Sequence, residues 1–292
     1  MKKAFSLIEL SIVILIIGIL VAGVTQASRL VAQMRLASAR AITQSSPVTS
    51  ISGLTLWLDS TSEKSFADSE TADAASISTW YDLNPQSITK INVGQATPSL
   101  QPTYSTNSAN GLPSLFFNGF QSFYLASLLG GGLFSTDQVS VFIVQKYLGG
   151  DTSTIFWGTP SGALRFNIHA FHTSSGSFYF DFGNCCDATS RISVGVSISA
   201  VSNVFEVISA VKKSSGAFEA RINGGTPIVT SATMTSNLPT NSSSTLYIGS
   251  SDEGHIFAGY IAEVIVFNRG LKADERQDIE KYLGKKWGIK VN

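Results

Sequence analysis

MKKAFSLIELSIVILIIGILVAGV, residues 1–24, opens the chain with a short basic head followed by twenty residues that are almost all apolar. A helix of that length rises roughly 30 Å, the thickness of the hydrocarbon core of a bilayer. Lys2 and Lys3 precede the apolar run and keep that end on the cytoplasmic side. The segment therefore predicts one membrane-spanning helix over 5–24, with residues 25 onward outside the cytoplasm.

Glu9 is the one ionisable side chain inside this apolar run. A charged residue in a membrane helix costs roughly 3 kcal/mol on insertion scales, so it is retained where it has a partner and a function. The alternative interpretation of these residues is an ordinary secretory signal peptide cut near Ala22 or Ala27. A carboxylate within the apolar stretch argues against that alternative.

The helical pattern also continues past the apolar run. No Gly or Pro occurs from Thr25 to Gln44, and Pro47 is the first residue that must end a helix. Apolar residues keep helical spacing on one face at Leu30, Val31, Met34, Ala41 and Ile42. A leader that is removed has no reason to run on in this way, so the pattern predicts a helix over 5–46.

The run KKAFSLIEL, residues 2–10, resembles the prepilin leader of type IV pilins and of type II secretion pseudopilins. The resemblance implies that a prepilin peptidase cuts between Ala4 and Phe5 and N-methylates Phe5. It makes Glu9 the fifth residue of the mature chain, paired in a filament with the N-terminal amine of a neighbouring subunit. The family usually has Gly where this chain has Ala4, and some members tolerate Ala there.

Global charge names no partner. The chain has 20 basic and 20 acidic side chains, and charged residues make up only 14% of it. Removal of residues 1–4 takes Lys2 and Lys3 away and leaves a net charge of −2. Such a balance steers the protein neither to nucleic acid nor to anionic membranes.

After Pro47 the hydrophobic period changes from helical spacing to alternation, as in Leu54, Leu56 and Leu58. Further strand-like runs lie at 139–144, 205–211, 245–249 and 259–267, with turn signals at 118–119, 130–132 and 223–225. Many short strands with regular turns predict an antiparallel sandwich, and a jelly roll above all. The expected organisation is a leader at 1–4, a helix at 5–46, a linker at 47–52 and a sandwich at 53–292.

One further helix is expected from Lys272 or Ala273 to about Lys285, because acidic residues crowd its start and lysines crowd its end. The residues around it resemble the C-terminal signature of laminin-G-like, concanavalin A-like jelly-roll domains of bacterial surface proteins. The matching segments are 261–271, 273–276 and 282–288, with weaker landmarks at 115–119 and 221–224. The resemblance implies a mainly β, concanavalin A-like fold that binds glycans or proteins.

Four aromatic residues are the candidates for stacking on a sugar: Trp80, Tyr81, Trp157 and Phe171. The alternative for the tryptophans is that they fill the core, which is the commoner place for them.

Metal sites are weakly indicated. The resemblance implies calcium at the rim in some members, and Asp252 and Glu253 are suitable oxygen donors, although an acidic surface loop explains them equally well. His169 and His172 are three residues apart with His255 distant, and no Cys or carboxylate accompanies them at zinc-ligand spacing, so surface histidines are expected. No metal ligand and no cofactor is assigned.

Catalytic motifs are not visible in the sequence. Glu263 stands alone between Ala262 and Val264, without the second acid that retaining glycoside hydrolysis needs. A Gly-x-Ser-x-Gly elbow and a phosphate-binding loop are also missing from the sequence. We therefore expect no enzyme, with a membrane-tethered carbohydrate-active enzyme as the alternative from another class.

Cys185 and Cys186 are adjacent and are the two cysteines of the chain. A strained vicinal disulfide, a link to another subunit and two reduced thiols are all open. The vicinal bond is favoured, outside the reducing cytoplasm.

These features together predict a minor or tip subunit of a type IV pilus that displays an adhesive sandwich, and a type II secretion pseudopilin is the rival. The expected partners are other pilin subunits, prepilin peptidase, the inner membrane before assembly, and host or environmental glycans or proteins. The expected location is the bacterial inner membrane with a periplasmic sandwich, then the pilus or cell surface.

Overall fold

A computed structural model describes most of the chain. The described residues are 7–125, 133–135, 137–149, 152–158, 164–172, 176–184, 186–195, 202–226, 228–238, 245–250, 254–255 and 257–292.

The first element is α1 (Leu7–Gln44), 38 described helical residues that confirm the predicted long helix and end two residues before its predicted end. Within the described residues it is the one helix long and apolar enough to cross a membrane. The hydroxyls of Ser11, Thr25 and Ser28 each donate at 2.9 Å to a carbonyl oxygen three or four residues earlier. These bonds satisfy the polar groups inside the helix, as an apolar environment requires.

Two antiparallel sheets follow α1. Sheet 1 contains β1 (Leu54–Asp59), β4 (Thr103–Ala109), β5 (Leu112–Asn118), β7 (Val139–Gly149), β12 (Phe205–Lys212), β13 (Ala217–Ile222), β14 (Val229–Thr233) and β16 (Ala258–Phe267). Sheet 2 contains β2 (Thr79–Trp80), β3 (Val93–Gly94), β6 (Phe123–Leu125), β8 (Thr152–Gly158), β9 (Leu164–His172), β10 (Ser177–Asn184), β11 (Arg191–Gly195) and β15 (Thr245–Ile248). The strand runs predicted from alternation coincide with these strands, except that the run 245–249 extends one residue past β15, so the mainly β fold class is confirmed.

Strand β16 is the centre of sheet 1. It pairs with β7 along one edge, and its other edge pairs first with β5 and then with β1. The register places Asp59 of β1 directly opposite Glu263 of β16. The strand order is β14-β13-β12-β7-β16-β5-β4 in sheet 1 and β11-β10-β9-β8-β15-β6-β3-β2 in sheet 2.

The second long helix, α2 (Ala273–Trp287), confirms the C-terminal helix and extends two residues past the predicted end. Its first turn is closed by Glu275, whose carboxylate accepts a hydrogen bond at 2.9 Å from the backbone N–H of Lys272. Arg269 binds the same carboxylate at 2.5 and 2.9 Å, and this hydrogen bonding lowers the pKa of Glu275 to about 2. The helix ends at Gly288, which adopts a left-handed conformation.

Two apolar cores give the domain its layers. One lies between the sheets and includes Val141 and Ile143 of sheet 1 with Phe178 and Phe180 of sheet 2. The other lies on the outer face of sheet 1 under both helices, and its members include Ala39, Ile279, Leu283, Phe142, Val144 and Ile265. Both helices therefore cover sheet 1, and the outer face of sheet 2 lies on the opposite side of the domain.

Candidate functional site

The first half of α1, residues 7–24, presents apolar side chains around its whole circumference. Leu7 is 85% exposed, Ile14 is 61% exposed and Leu20 is 62% exposed. A helix that is apolar on every side must be covered by lipid or by other helices. Glu9 lies within this surface.

The C-terminal end of α1 is bound firmly to the sandwich. Arg40 donates through Nε to the carbonyl oxygen of Thr61 at 2.8 Å and pairs with Glu63 at 2.5 Å. Ala39 is buried against sheet 1, and Thr43 donates to Asp59 at 3.2 Å. The exposed part of α1 therefore projects from the sandwich in a direction that these contacts fix.

A buried cluster of charged and aromatic side chains lies where α1, β1, β16 and α2 meet. Glu263 accepts four hydrogen bonds: from Trp57 Nε1 at 2.8 Å, Tyr282 Oη at 2.7 Å, Lys286 Nζ at 2.8 Å and Trp287 Nε1 at 2.7 Å. These contacts join the acidic residue of β16 to the Tyr-x-x-x-Lys-Trp run of α2.

Lys286 also binds the second carboxyl group of this cluster. Its Nζ atom lies 2.7 Å from Asp59 Oδ2, and the side chains of Asp59, Glu263 and Lys286 are all fully buried. The other oxygen, Asp59 Oδ1, accepts hydrogen bonds from the backbone N–H of Thr61 at 2.9 Å and from its hydroxyl at 2.8 Å. The expectation that Glu263 stands without an acidic neighbour is wrong in space, because strand pairing brings Asp59 beside it.

A cavity of about 550 Å³ adjoins this cluster on the side of α1. Its lining includes Thr43, Trp57, Asp59, Glu63 and Leu83.

The outer face of sheet 2 carries a set of polar and aromatic side chains. Phe166, Ile168, Phe178, Phe180 and Ile192 point into the core between the sheets. Because side chains alternate along a strand, the residues between them point to the outer face. Those residues include Arg165, Asn167, His169, Tyr179, Asp181 and Arg191, and we call them the polar face.

Asp181 organises the polar face. Its buried carboxylate pairs with Arg165 at 3.2 Å and with Arg191 through two hydrogen bonds of 2.6 and 2.7 Å. The guanidinium of Arg191 lies 4.4 Å from the ring centroid of Tyr179, which is a cation–π contact. The ion pair holds a cation and an aromatic ring in fixed positions at the surface of sheet 2.

All three histidines of the chain meet beside Tyr179. The ring centroids of His169 and His255 are 5.0 Å apart, and His172 lies 5.7 Å from His169 and 6.0 Å from His255. His169 is only 1% exposed and contacts Asn167 at 2.7 Å. The expectation of surface histidines is therefore wrong for His169, and folding brings the distant His255 to the end of β9. Among the described residues, no His, Cys, Asp or Glu group has the geometry of a metal site.

The aromatic residues predicted to stack on a sugar have different locations. Trp80 is 0% exposed and packs between Phe66 and Phe123, so it belongs to the core and this part of the prediction is corrected. Phe171 is likewise buried, against Tyr147 at 5.6 Å, and offers no face to a ligand. Burial of a large apolar ring is the stronger effect for both.

Two further predictions meet different outcomes. Tyr81 is 40% exposed and stays a candidate for stacking. Trp157 lies in β8, and its side chain is outside the described part of the chain.

Other sequence predictions fall outside the described residues. They concern the cleavage site Ala4–Phe5 and the acidic loop residues Asp252 and Glu253. Cys186 is disulfide-bonded and its Sγ atom contacts Arg165 at 3.3 Å, but Cys185 is not among the described residues, so the vicinal pairing stays a prediction.

Comparison with known proteins identifies the N-terminal segment. Residues 1–25 match the family described as the prokaryotic N-terminal methylation motif. This segment is type IV pilin-like. Together with the exposed apolar helix it fits membrane anchoring and pilus assembly. The match covers the pilin-like segment and does not extend into the sandwich, and no curated protein sequence matches the chain.

Solved structures resemble the sandwich. Domain 4 of AbnA, a GH43 extracellular arabinanase from Geobacillus stearothermophilus in complex with arabinotriose, matches at TM-score 0.52 and 15% identity, over 78% of this chain and 98% of that chain. Trypanosoma rangeli sialidase matches at TM-score 0.50 and 12% identity, over 81% of this chain and 33% of that chain. The CBM40 of Ruminococcus gnavus IT-sialidase bound to alpha2,3 sialyllactose matches at TM-score 0.39 and 15% identity, over 54% of this chain and 84% of that chain. At these identities the likeness shows a β-sandwich fold alone.

Proposed function

We propose that this chain is a minor or tip subunit of a type IV pilus-like filament that displays a glycan-binding sandwich and has no catalytic activity. One observation carries the proposal. The pilin-like helix α1 is bound to the outer face of sheet 1, whereas the polar face lies on the outer face of sheet 2. A subunit held in a filament by α1 thus directs its polar face away from the attachment of the helix.

The assembly part rests on the pilin-like segment. Cleavage between Ala4 and Phe5 would leave a new amine at Phe5, and Glu9 would pair with that amine of a neighbouring subunit. Two opposite charges satisfy each other in a lipid-like environment and set the stagger between helices. Before assembly, α1 would anchor the subunit in the inner membrane with the sandwich in the periplasm.

The binding part rests on the composition of the polar face. Sugars are recognised by aromatic rings that stack on them and by planar polar groups that bind their hydroxyls. Tyr179 supplies the ring, Arg191 supplies such a group, and Asp181 fixes the guanidinium. The arabinotriose in the similar domain of the arabinanase supports an oligosaccharide as the ligand.

The absence of catalysis is proposed from the state of the acidic pair. Asp59 and Glu263 are fully buried, and protein donors occupy their oxygens. A retaining glycosidase needs two carboxyl groups that both face the sugar. This pair of carboxyl groups therefore binds protein groups inside the fold and does not face a sugar.

The test is a glycan array probed with the full chain in detergent. We expect binding to one class of oligosaccharide, lost in Tyr179→Ala and kept in Tyr260→Ala. Tyr260 is a matched control because it lies in sheet 1, packs on aromatic rings and has a Lys146 ammonium 5.7 Å away. Equal binding by both variants, or binding to no glycan, would contradict the polar face as the site.

A further inference from the structure

The buried Asp59–Glu263–Lys286 cluster has the components of a covalent cross-link. We propose that Lys286 Nζ condenses with the carboxyl group of Asp59 to form an intramolecular amide, with Glu263 as the group that transfers the proton. The nucleophilic nitrogen already lies 2.7 Å from Asp59 Oδ2 and 2.8 Å from Glu263 Oε2. Nothing outside the chain is needed for this reaction.

Proximity and burial both favour the condensation. Because the fold holds the amine and the carboxyl group at this distance, the two groups need not meet by diffusion. The effective concentration of the amine at the carboxyl group is therefore far higher than in solution. The site is fully buried, so water does not compete for the carboxyl group. The reactive forms are the neutral amine and the neutral acid, which a proton transfer from Lys286 Nζ to Asp59 Oδ2 across their 2.7 Å contact produces.

Asp59 is the acceptor because its two oxygens have different surroundings. Oδ1 faces two donors of Thr61, the backbone N–H at 2.9 Å and the hydroxyl at 2.8 Å. That pair would stabilise the negative charge that develops on Oδ1 when nitrogen attacks. Oδ2 faces Lys286 and the Thr43 hydroxyl, and it is the oxygen that departs.

Glu263 is held as an acid and base beside the reacting nitrogen. Trp57, Tyr282 and Trp287 fix both of its oxygens, so the group is oriented and is not itself the target. Burial raises the pKa of Glu263 against the opposing attraction of Lys286, so its carboxylate is a stronger base than an exposed one and is suited to take a proton from the nitrogen.

The step balances in atoms and charge. The neutral amine of Lys286 attacks Cγ of the neutral Asp59 carboxyl group, and a tetrahedral intermediate forms with a negative charge on Oδ1 and a positive charge on the nitrogen. The ionised carboxylate of Glu263 takes a proton from the nitrogen and delivers it to the Oδ2 hydroxyl. The Cγ–Oδ2 bond breaks, an amide remains and one water leaves. Because Asp59 and Thr43 line the adjacent cavity, the water has a path out of the core.

The cross-link would join β1, which follows α1 directly, to α2 near the end of the chain. The polar face of sheet 2 lies between Asp59 and Lys286 in sequence. The polar face would then lie within a closed covalent loop that joins α1 at Asp59.

Mass spectrometry of the full chain, purified in detergent and then denatured, tests the proposal. We expect a mass lower by one water than the sequence requires, in addition to any N-terminal processing. Trypsin should release peptide 41–64 joined to peptide 286–290, because the modified Lys286 is no longer cleaved. Separate peptides containing unmodified Asp59 and Lys286, from protein at its full mass, would overturn the proposal.

Variants then assign the roles. Lys286→Arg should show the full mass, whereas the adjacent exposed Lys285→Arg should keep the lower mass. Glu263→Gln should lose the joined peptides or form them at least tenfold more slowly. Joined peptides formed at an undiminished rate in Glu263→Gln would overturn its role in proton transfer. The result on the unaltered chain decides the cross-link itself, even where a variant fails to fold.

Discussion

Asp59 of β1 faces Glu263 of β16 across an antiparallel pair, and Lys286 of α2 lies between their carboxyl groups at 2.7 and 2.8 Å. Thr43 of α1 contacts the same site at Asp59 Oδ2. The cluster therefore ties the helix that enters the assembly to the first strand, the central strand and the last helix of the sandwich. It is the place where the two functional parts of the molecule are joined.

Loss of the Lys286 side chain should be strongly destabilising. In Lys286→Met the buried carboxyl groups of Asp59 and Glu263 lose the partner that they share, and removal of one partner of a buried pair costs about 3–5 kcal/mol. Urea unfolding of the full chain in detergent, followed by tryptophan fluorescence, measures the change. The control is Lys285→Met, one residue earlier and exposed, which should stay within about 0.5 kcal/mol. Similar midpoints for the two variants would show that the cluster contributes little to stability.

Glu206 should make the sandwich less stable as pH rises. Burial raises its pKa to about 8, against a hydrogen bond from Gln145, and Oε2 has no partner among the described residues. The folded chain thus binds a proton that the unfolded chain releases near pH 4.5, and stability falls from that pH up to about 8.

Substitution of Glu206 tests whether it causes the predicted fall in stability as pH rises. Glu206→Gln removes the titrating group, so its unfolding free energy should depend less on pH between 5 and 8. The exposed Glu63→Gln should keep the pH dependence of the unaltered chain. A pH profile that Glu206→Gln leaves unchanged would refute the assignment.

Gly259 should tolerate no side chain. It has a φ of +152°, and a Cβ atom there would collide with the carbonyl oxygen of Lys146 in the neighbouring strand β7. We expect Gly259→Ala to lower the free energy of unfolding by about 2 kcal/mol or more. Gly195→Ala, where a Cβ atom meets nothing within 4 Å, is the matched control. Thermal unfolding of both variants measures the difference, and equal melting temperatures would contradict the packing described for β16.

Glu9 should be required for incorporation and not for folding. It lies on the exposed part of α1, remote from the sandwich, so Glu9→Gln should leave the melting temperature unchanged. The abundance of the Glu9→Gln variant in sheared filaments should fall at least tenfold, because the N-terminal amine of the neighbouring subunit loses its counter-charge. Quantitative immunoblots of filament and membrane fractions report this, with the exposed Glu63→Gln as the control. Normal incorporation of Glu9→Gln would refute the proposed pairing.

The parts of the fold that follow local periodicity could be predicted from the sequence. The helix α1 could be predicted because an apolar run and helical spacing indicate a membrane-spanning helix and Pro47 marks its end. Strand alternation likewise located β1, β7, β12 and β16.

Relationships between distant residues could not be predicted in the same way. Asp59 and Glu263 meet through strand pairing, and His255 reaches His169 through the path of a later loop. The sequence does not show whether a tryptophan in a two-residue strand points into the core or toward solvent. For this reason Trp80 was predicted as a binding residue although it lies in the core. The polar face was missed since its residues alternate with core phenylalanines and no single strand carries the set.

Mass spectrometry of filaments sheared from the native cell tests the central claim most directly. The account predicts an N-methylated peptide that spans 5–29 and begins at Phe5, at low abundance beside a more abundant pilin. The same processed peptide found only in the envelope would indicate a pseudopilin of a secretion system. A mature protein that begins beyond residue 20 would contradict the account, since α1 would then lack both Glu9 and the residues that make it a membrane-spanning assembly helix.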